Sequence, residues 1–511
     1  MTPLKWVVFL LIFFLGQIAG MSAGEAAEKT LKYRFNDGAG IEVHFTEGLL
    51  KKSGEAPSFP REVLDAAVLA YQTIVQIEGF SADGYSFAKP DLQYAYDPDR
   101  TIDIFLGSPT DNAYASYGIG AASFRDAPCF DTIPVLENQF QAVILLPINY
   151  REFIRNWEKI NPSPLGKRNI DVDLRGTLAH EMLHAILFYY NKNLNKEVSS
   201  DQNQGRAKTG KVDWYVEGLA RYFETLVGAK HDFFSQGFKE ILPDKVRFSR
   251  GGSNYFMRYP DQAFTELRYE NALFWRFIDY RKGMKQIEFA SRNFRGADMS
   301  ENLEEMLEKL TGMKMPQLLG EFSEAILFKD FGLKDSESYL KDVARTHLVY
   351  DREGFYLLDG FGKRDFLGRI CRTDWIGEWG ETHAALGDFS AAGDNTPESD
   401  VSAWATDYCS IEFSCGLESL PWIGVMLKEG GKPLMSQLFL VTQGGGVIHQ
   451  QISEINVGQT LGWSLQTVVE KEGLRASDIE KAYVLVTNAD PCMTASYAIV
   501  SSPAKFFQQF T

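Results

Sequence analysis

The chain has 511 residues, which exceeds the size at which a single hydrophobic core stops growing, so two or three domains are expected. Apolar residues make up 45% and charged residues 23% of the chain, a composition that excludes a disordered or fibrous protein. The formal net charge of −16 creates a field that repels nucleic acids and anionic membrane surfaces, so neither is expected as a partner.

The N-terminus has the pattern of a secretory signal peptide. Lys5 supplies a short positive segment, residues 6–15 form an unbroken apolar run, and small residues such as Ala23 and Ala26 follow. The alternative is an uncleaved anchor, although the apolar stretch is short for a spanning helix of about 20 residues. We therefore predict a cleaved signal peptide over residues 1–24, export to the periplasm or the cell exterior, and no stable membrane insertion of the mature chain.

The region from residue 25 to residue 345 is predicted to be α+β, with a mixed α/β part up to residue 170 and a mostly helical part after it. In the first part, β-rich apolar runs predict strands over 41–46, 101–106 and 141–146, and helical spacing of apolar residues predicts a helix over 60–76. In the second part, helices are predicted over 172–190, 213–227, 269–282, 301–311 and 315–328.

Beyond residue 346 the pattern changes to short strands separated by glycine-rich turns. The clearest strands are predicted over 433–441, 481–487 and 495–500. This pattern predicts a separate β-sandwich-like domain over residues 346–511. Four of the five cysteines lie in this region and could form two disulfides in an oxidising compartment, with three pairings open: Cys371, Cys409, Cys415 and Cys492.

The segment TLAHEMLHA, residues 177–185, carries the most informative motif. His180 and His184 are four residues apart, so on a helix they lie on one face and can bind one ion through their ring nitrogens. Glu181 lies one step round the helix, where its carboxylate can reach water at the ion without being a ligand. The structural alternative is a pair of histidines satisfied inside a buried helix. Catalytic zinc takes three protein ligands, so a third is required.

The third ligand is predicted in DWYVEGLARYFE, residues 213–224. Glu217 lies on a second predicted helix, 33 residues after His184, and Gly218 beside it removes a side chain where two helices would approach each other around an ion. Glu224 is seven residues further, on the same helix face, and could accept a hydrogen bond from a ligand imidazole. The structural alternative is an ordinary amphipathic helix with exposed acidic residues.

HEMLH followed by WYVEGLARYFE resembles the gluzincin zinc peptidases, the superfamily that includes thermolysin and the M1 aminopeptidases, and is similar to secreted bacterial members. The resemblance covers about residues 40–330 and implies a zincin-like catalytic region. It also implies His180, His184 and Glu217 as ligands of one zinc ion per chain and Glu181 as general base. RYENAL, residues 268–273, is similar to the tyrosine-bearing helix start of M1-like enzymes. Tyr269 is thereby implied as the oxyanion donor, with a packing tyrosine as the alternative.

The same resemblance bears on the substrate. It implies that strand 141–146 is the edge strand along which gluzincins align extended peptides, a mode that suits peptide or protein substrates. M1 aminopeptidases also carry a GxMEN strand that binds the free amine of the substrate, whereas VLEN, residues 135–138, lacks its glycine and methionine. An endopeptidase is therefore favoured over an exopeptidase.

The sequence thus predicts an exported zinc-dependent peptidase and makes no prediction of its oligomeric state. Two alternatives stay open. A non-catalytic surface binding protein on a peptidase scaffold is one, although an intact Glu181 argues against lost catalysis. A zinc hydrolase of a non-peptide bond is the other, because metal, base and oxyanion donor serve esters equally well.

Overall fold

The computed structural model contains two compact units, Met1–Tyr190 and Asn191–Thr511. The residues that it describes are 28–36, 38–77, 80, 101–108, 131–136, 139–160, 170–190, 213–229, 271–293, 299–328, 330–331, 346–350, 355–358, 364–368, 371–376, 382–385, 399–401, 404–414, 417–490 and 493–502. The predicted signal peptide lies outside these residues.

The first unit is built on a five-stranded sheet with the order β1-β2-β3-β5-β4. Strands β2, β3 and β5 are parallel, and β1 and β4 run antiparallel at the two edges. The strands are β1 (Glu28–Arg34), β2 (Gly40–Thr46), β3 (Thr101–Gly107), β4 (Asp131–Leu136) and β5 (Gln139–Pro147). The three strands predicted in this region are therefore confirmed, and two edge strands are added to them.

Among the described residues, the α-helices that accompany this sheet are α1 (Glu47–Ser53), α2 (Phe59–Tyr71), α3 (Tyr150–Ile160) and α4 (Ile170–Tyr190). Helix α2 continues into a π-helical turn, Gln72–Ile77. Its buried residues recur at helical spacing, for example Val63, Ala67 and Ala70, and it packs against β1, β2 and α4. Burial of this apolar face holds the helix on the sheet.

The prediction that strand 141–146 is the edge strand is wrong. Strand β5, which contains these residues, pairs with β3 on one side and with β4 on the other. The edge next to β5 is formed by β4, a strand that the sequence pattern did not reveal because Pro134 interrupts it. Proline lacks a backbone N–H, so within a sheet it is tolerated at an edge.

The described residues of the second unit up to residue 328 include the helices α5 (Asp213–Ala229), α6 (Ala272–Lys282), α7 (Met284–Asn293), α8 (Met299–Thr311) and α9 (Met315–Phe328). Helices predicted over 213–227, 301–311 and 315–328 agree with α5, α8 and α9 to within two residues. The helix predicted over 269–282 begins at Ala272 in α6. Helices α5 and α6 pack against each other, and α6 also packs against α7 and α9.

Two sheets form the C-terminal part of this unit. One has seven strands in the order β15-β14-β17-β12-β6-β7-β8; the other has the order β10-β9-β18-β13-β16, with β11 added beside β18. Their strands are β6 (Thr346–Tyr350), β7 (Phe355–Leu358), β8 (Arg364–Gly368), β9 (Cys371–Ile376), β10 (Thr382–Ala385), β11 (Ser399–Val401), β12 (Ala405–Phe413), β13 (Trp422–Glu429), β14 (Leu434–Thr442), β15 (Val447–Ile455), β16 (Thr460–Ser464), β17 (Ile479–Asn488) and β18 (Ala495–Ser502). A short helix α10 (Leu465–Lys471) follows β16.

The two sheets share one hydrophobic core. Ile411 on β12 and Leu438 on β14 contribute to it from the seven-stranded sheet, and Val425 on β13 and Ile499 on β18 contribute from the other. Cys409 on β12 is buried in the same core. This arrangement is that of two packed β-layers, in which each strand turns alternate side chains inward.

Helix α9 packs against strands β12, β14 and β17 of the seven-stranded sheet. The Ser323 hydroxyl donates to Thr406 Oγ1 at 2.7 Å, and Thr406 Oγ1 lies 2.9 Å from Thr487 Oγ1, all three buried. Phe328 and Phe439 meet edge to face, with ring centroids 5.1 Å apart. The compact unit therefore includes helical residues as well as strands, and a domain boundary at 345/346 stays a prediction.

No helix in the described part of the chain has the length and apolar character needed to cross a membrane.

Candidate metal centre

Helix α4 carries the predicted histidines. Its 21 residues contain no proline, and almost every side chain from Leu178 to Leu187 is buried. The helix packs against α2, β4 and β5 within the first unit. Tyr150, at the start of α3, is buried, and its hydroxyl lies 3.1 Å from the hydroxyl of Thr177 on α4. Because Thr177 is three residues before His180, this hydrogen bond helps to set the rotation of the histidine-bearing face.

His180 and His184 lie together on that face. Their ring centroids are 4.7 Å apart, and the ring planes are inclined by 74°. His180 is 8% exposed, whereas His184 is partly exposed. Glu181, which lies beside His180 in the chain, is 6% exposed. The geometry of α4 therefore places two imidazoles and one carboxylate within a single turn of a buried helix.

Glu217 lies on helix α5 of the second unit and is 8% exposed. Aromatic side chains hold this helix in place. Trp214 stacks on Trp275 of α6 with ring centroids 5.8 Å apart, and Tyr215 Oη lies 2.5 Å from Ser291 Oγ of α7. One and a half turns after Glu217, the hydroxyl of Tyr222 donates to Asp279 of α6.

Tyr222 also receives a hydrogen bond from Arg276 Nη1 at 3.2 Å, and Arg276 Nε donates to the carbonyl oxygen of Phe331 at 2.9 Å. Burial raises the pKa of Tyr222 well above its ordinary value, and the same cause raises the pKa of Tyr215. Both phenols therefore stay neutral, and their hydroxyl groups hydrogen-bond to Ser291 on α7 and Asp279 on α6. These bonds fix the position of α5 and therefore the position of Glu217.

His180, His184 and Glu217 each offer one ligand atom, and these atoms all lie within 4.8 Å of one another. Two imidazole nitrogens and one carboxylate oxygen form a donor set that suits zinc. Glu181 and Glu217 are both buried, and burial of a carboxylate favours a nearby positive charge, which a divalent cation supplies. These residues therefore fit the ion that the sequence predicted.

The predicted roles of the two remaining site residues, Glu224 and Tyr269, are not tested by the described contacts. The Glu224 carboxylate forms a salt bridge with Arg221 on the same helix, and both side chains are partly buried. Its role as a hydrogen-bond acceptor for a ligand imidazole stays a prediction. Tyr269 lies outside the described residues, and its role as oxyanion donor also stays a prediction.

Comparisons with known proteins add no identification. No protein-family profile matches the sequence, and no curated protein matches it significantly. Among solved structures, a family GH115 4-O-methyl-α-glucuronidase with specificity for decorated arabinogalactans aligns with 80% of this chain at 7% identity and a TM-score of 0.15. The chain spans 53% of that enzyme. A similarity this low carries no argument about fold or function.

A second group of potential ligands lies in the first unit: Glu42, His44 and Asp103, all buried, with ligand atoms within 4.8 Å of one another. In the sequence His44 is an isolated histidine, for which a surface or core position is expected. The signal that could have revealed the group is the i, i+2 spacing of Glu42 and His44, which turns both to one sheet face. Strand β3 places Asp103 directly opposite Glu42 on that face.

Proposed function

We propose that this protein is an exported zinc-dependent peptidase, acting as an endopeptidase on peptide or protein substrates. The observation that carries the proposal is the donor group of His180, His184 and Glu217, with the buried Glu181 adjacent to it. This combination of three protein ligands and a neighbouring carboxylate is the arrangement that hydrolytic zinc sites use.

Zinc, when bound by these three residues, supplies a Lewis acid that polarises a carbonyl group and lowers the pKa of water towards neutrality. Glu181 is the residue that accepts the proton of the attacking water and passes it to the leaving nitrogen of the cleaved amide. Its position in the chain, directly after a ligand, keeps the carboxylate next to the reacting atoms without using it as a ligand. Burial excludes bulk water, which would otherwise weaken the electrostatic contribution of the carboxylate.

Two further residues have roles in the proposal. Tyr269 is proposed to donate a hydrogen bond to the developing oxyanion, on the strength of the RYENAL segment alone. The Tyr222 hydroxyl and its partners on α6 position α5, so they act on catalysis through Glu217.

The proposal is tested by metal analysis together with peptide cleavage. We expect the purified mature protein to contain about one zinc ion per chain, because three protein donors form one catalytic site. A chelator should stop the cleavage of casein and of a peptide library, and added zinc should restore it. Wild-type protein without zinc, or cleavage that is insensitive to the chelator, would contradict the proposal. Chelator-sensitive cleavage of esters without any cleavage of peptides would redirect it to another bond.

A further inference from the structure

One face of the first unit's sheet is polar where its strands β1, β2 and β3 meet. Along β2, Ile41 and Val43 are completely buried and alternate with Glu42 and His44, which turn to the opposite face. Glu42 and His44 are nevertheless only 7% and 5% exposed. A sheet that buries an acid and a histidine side by side requires compensating partners for both.

His44 has a carboxylate at each end of its ring. Its Nδ1 lies 3.0 Å from Glu28 Oε1 on β1, and its Nε2 lies 2.9 Å from Asp103 Oδ1 on β3. Thr30 Oγ1 lies 3.3 Å from the same Nδ1, and Phe105 stacks on the ring with centroids 4.4 Å apart. A carboxylate only accepts hydrogen bonds, so both ring nitrogens must carry protons to satisfy this arrangement. The geometry therefore selects the imidazolium form.

Among the residues that the structure describes, the charges on this face balance when His44 is protonated. Glu28, Glu42 and Asp103 supply three negative charges, and Lys32 and Arg34, which both pair with Glu42, supply two positive charges. The imidazolium ion provides the third positive charge, which makes the group neutral. Helices α1 and α2 also pack against β2; of their charged residues, Glu47 pairs with Lys29, Arg61 with Asp65 and Glu62 with Arg151, and Lys51 and Lys52 are exposed.

A bound divalent cation is the alternative for Glu42, His44 and Asp103, and the contacts disfavour it. Lys32 Nζ lies 2.9 Å from one carboxylate oxygen of Glu42 and 2.7 Å from the other, so an ion would compete with an ammonium group already in place. A metal also requires an unprotonated ring nitrogen, whereas both nitrogens of His44 face carboxylate oxygens.

We propose that Glu28, His44 and Asp103 form a pH-sensitive hydrogen-bonded triad. The triad holds the edge strand β1 to the sheet while His44 is protonated, and this attachment weakens when the proton is lost. Strand β1 suits such control because most of its residues are exposed and it pairs with β2 alone among the described strands. Lys32 and Arg34 hold the C-terminal end of β1, so the titration acts mainly on the end at Glu28.

The direction of the pH effect follows from the surroundings of His44. Burial alone would lower the pKa of His44, but the hydrogen bonds and charges of Asp103 and Glu28 outweigh burial and raise it. A group whose pKa is raised by folding stabilises the folded form fully below its ordinary pKa, about 6.5 for histidine, and this stabilisation is lost as the pH rises through the folded pKa. Opening of β1 removes Glu28 from His44 but leaves Asp103 on β3 beside it, so the window for loosening of β1 lies above the ordinary histidine pKa, between the pKa of His44 beside Asp103 alone and its pKa in the intact sheet.

Hydrogen exchange of the full-length protein measures this loosening. After correction for the intrinsic exchange rate, the opening constant of the β1 amides should be flat at acidic pH, where His44 stays protonated whether or not β1 is in place. At higher pH it should rise by up to about tenfold per pH unit, because opening releases one proton. His44→Gln should abolish this slope. His449→Gln, on β15 of the second unit, is the matched control and should leave it unchanged.

The outcomes separate the alternatives. A slope that persists in His44→Gln, or no slope in the wild type, would overturn the proposal. Added zinc or manganese that protects β1 and suppresses the titration of His44 would assign the group to a cation instead. If His44→Gln does not fold, Glu28→Gln removes one of the two carboxylates at an exposed position. That variant should lower the pKa of His44 in a histidine NMR titration and narrow the pH range over which β1 loosens. An unchanged titration of His44 would count against the proposed triad.

Discussion

Replacing His184 with alanine is expected to strip zinc from the protein and to abolish peptide hydrolysis. The variant keeps two of the three donors, His180 and Glu217, and catalytic zinc sites use three protein ligands. Loss of a direct ligand should cost more than the roughly 10- to 100-fold in metal affinity that loss of an outer hydrogen-bond partner costs. Metal analysis after dialysis, combined with a peptide digest, measures both effects.

Two variants control this experiment. His449→Ala removes a histidine from β15 and should keep both zinc and activity, which shows that removal of any histidine is not enough. His44→Gln asks whether the second group of potential ligands binds the zinc. Zinc retained in His184→Ala but lost in His44→Gln would move the metal to the sheet and refute the proposed centre. Circular dichroism confirms that each variant is folded.

The elements that carry the proposed centre could be predicted because their signals are local. Helix α4 has an apolar sequence without proline around the two histidines, and helix α5, which carries Glu217, begins at the predicted residue Asp213. In each case the side chains that decide the structure lie within four residues of one another, at the spacing of a helical turn. The same spacing places His180 and His184 on one face, so the ligand pair followed from the helix.

Features that depend on strand pairing could not be predicted in this way. The position of β5 inside the sheet is decided by its neighbours β3 and β4, which are distant in sequence or interrupted by Pro134. The partners of His44 come from two other strands, β1 and β3, and Asp103 is 59 residues away. An alternating pattern shows which residues share a face, but it does not show which strands are neighbours.

The C-terminal sheets illustrate the same limit at the level of domains. The change from helical to alternating patterns near residue 346 is real, because β6 begins at Thr346. However, helix α9 packs on the sheet that β6 joins, and Ser323 shares a buried hydrogen-bond network with Thr406 and Thr487. A change of secondary structure marks a change of local pattern, whereas a domain boundary depends on where the buried contacts stop.

The proposed role of Glu181 as general base can be tested separately from the proposed zinc ligands, because of its place on α4. Glu181 shares a helical turn with His180 and His184 and is as deeply buried as Glu217, yet it is not one of the three predicted ligands. Metal binding and proton transfer are therefore assigned to different carboxylates, and a substitution at Glu181 should separate them.

Glu181→Gln is accordingly expected to keep about one zinc ion per chain and to lose hydrolysis by about 10²- to 10⁴-fold in kcat. Glutamine preserves the size of the side chain but cannot accept the proton of the attacking water, so the loss should appear in kcat with little change in KM. Glu152→Gln makes the same change at an exposed position of α3 and should be silent. Rates within a few-fold of wild type in a zinc-loaded Glu181→Gln protein would show that another residue is the base. Loss of zinc from this variant would instead show that Glu181 belongs to the donor set.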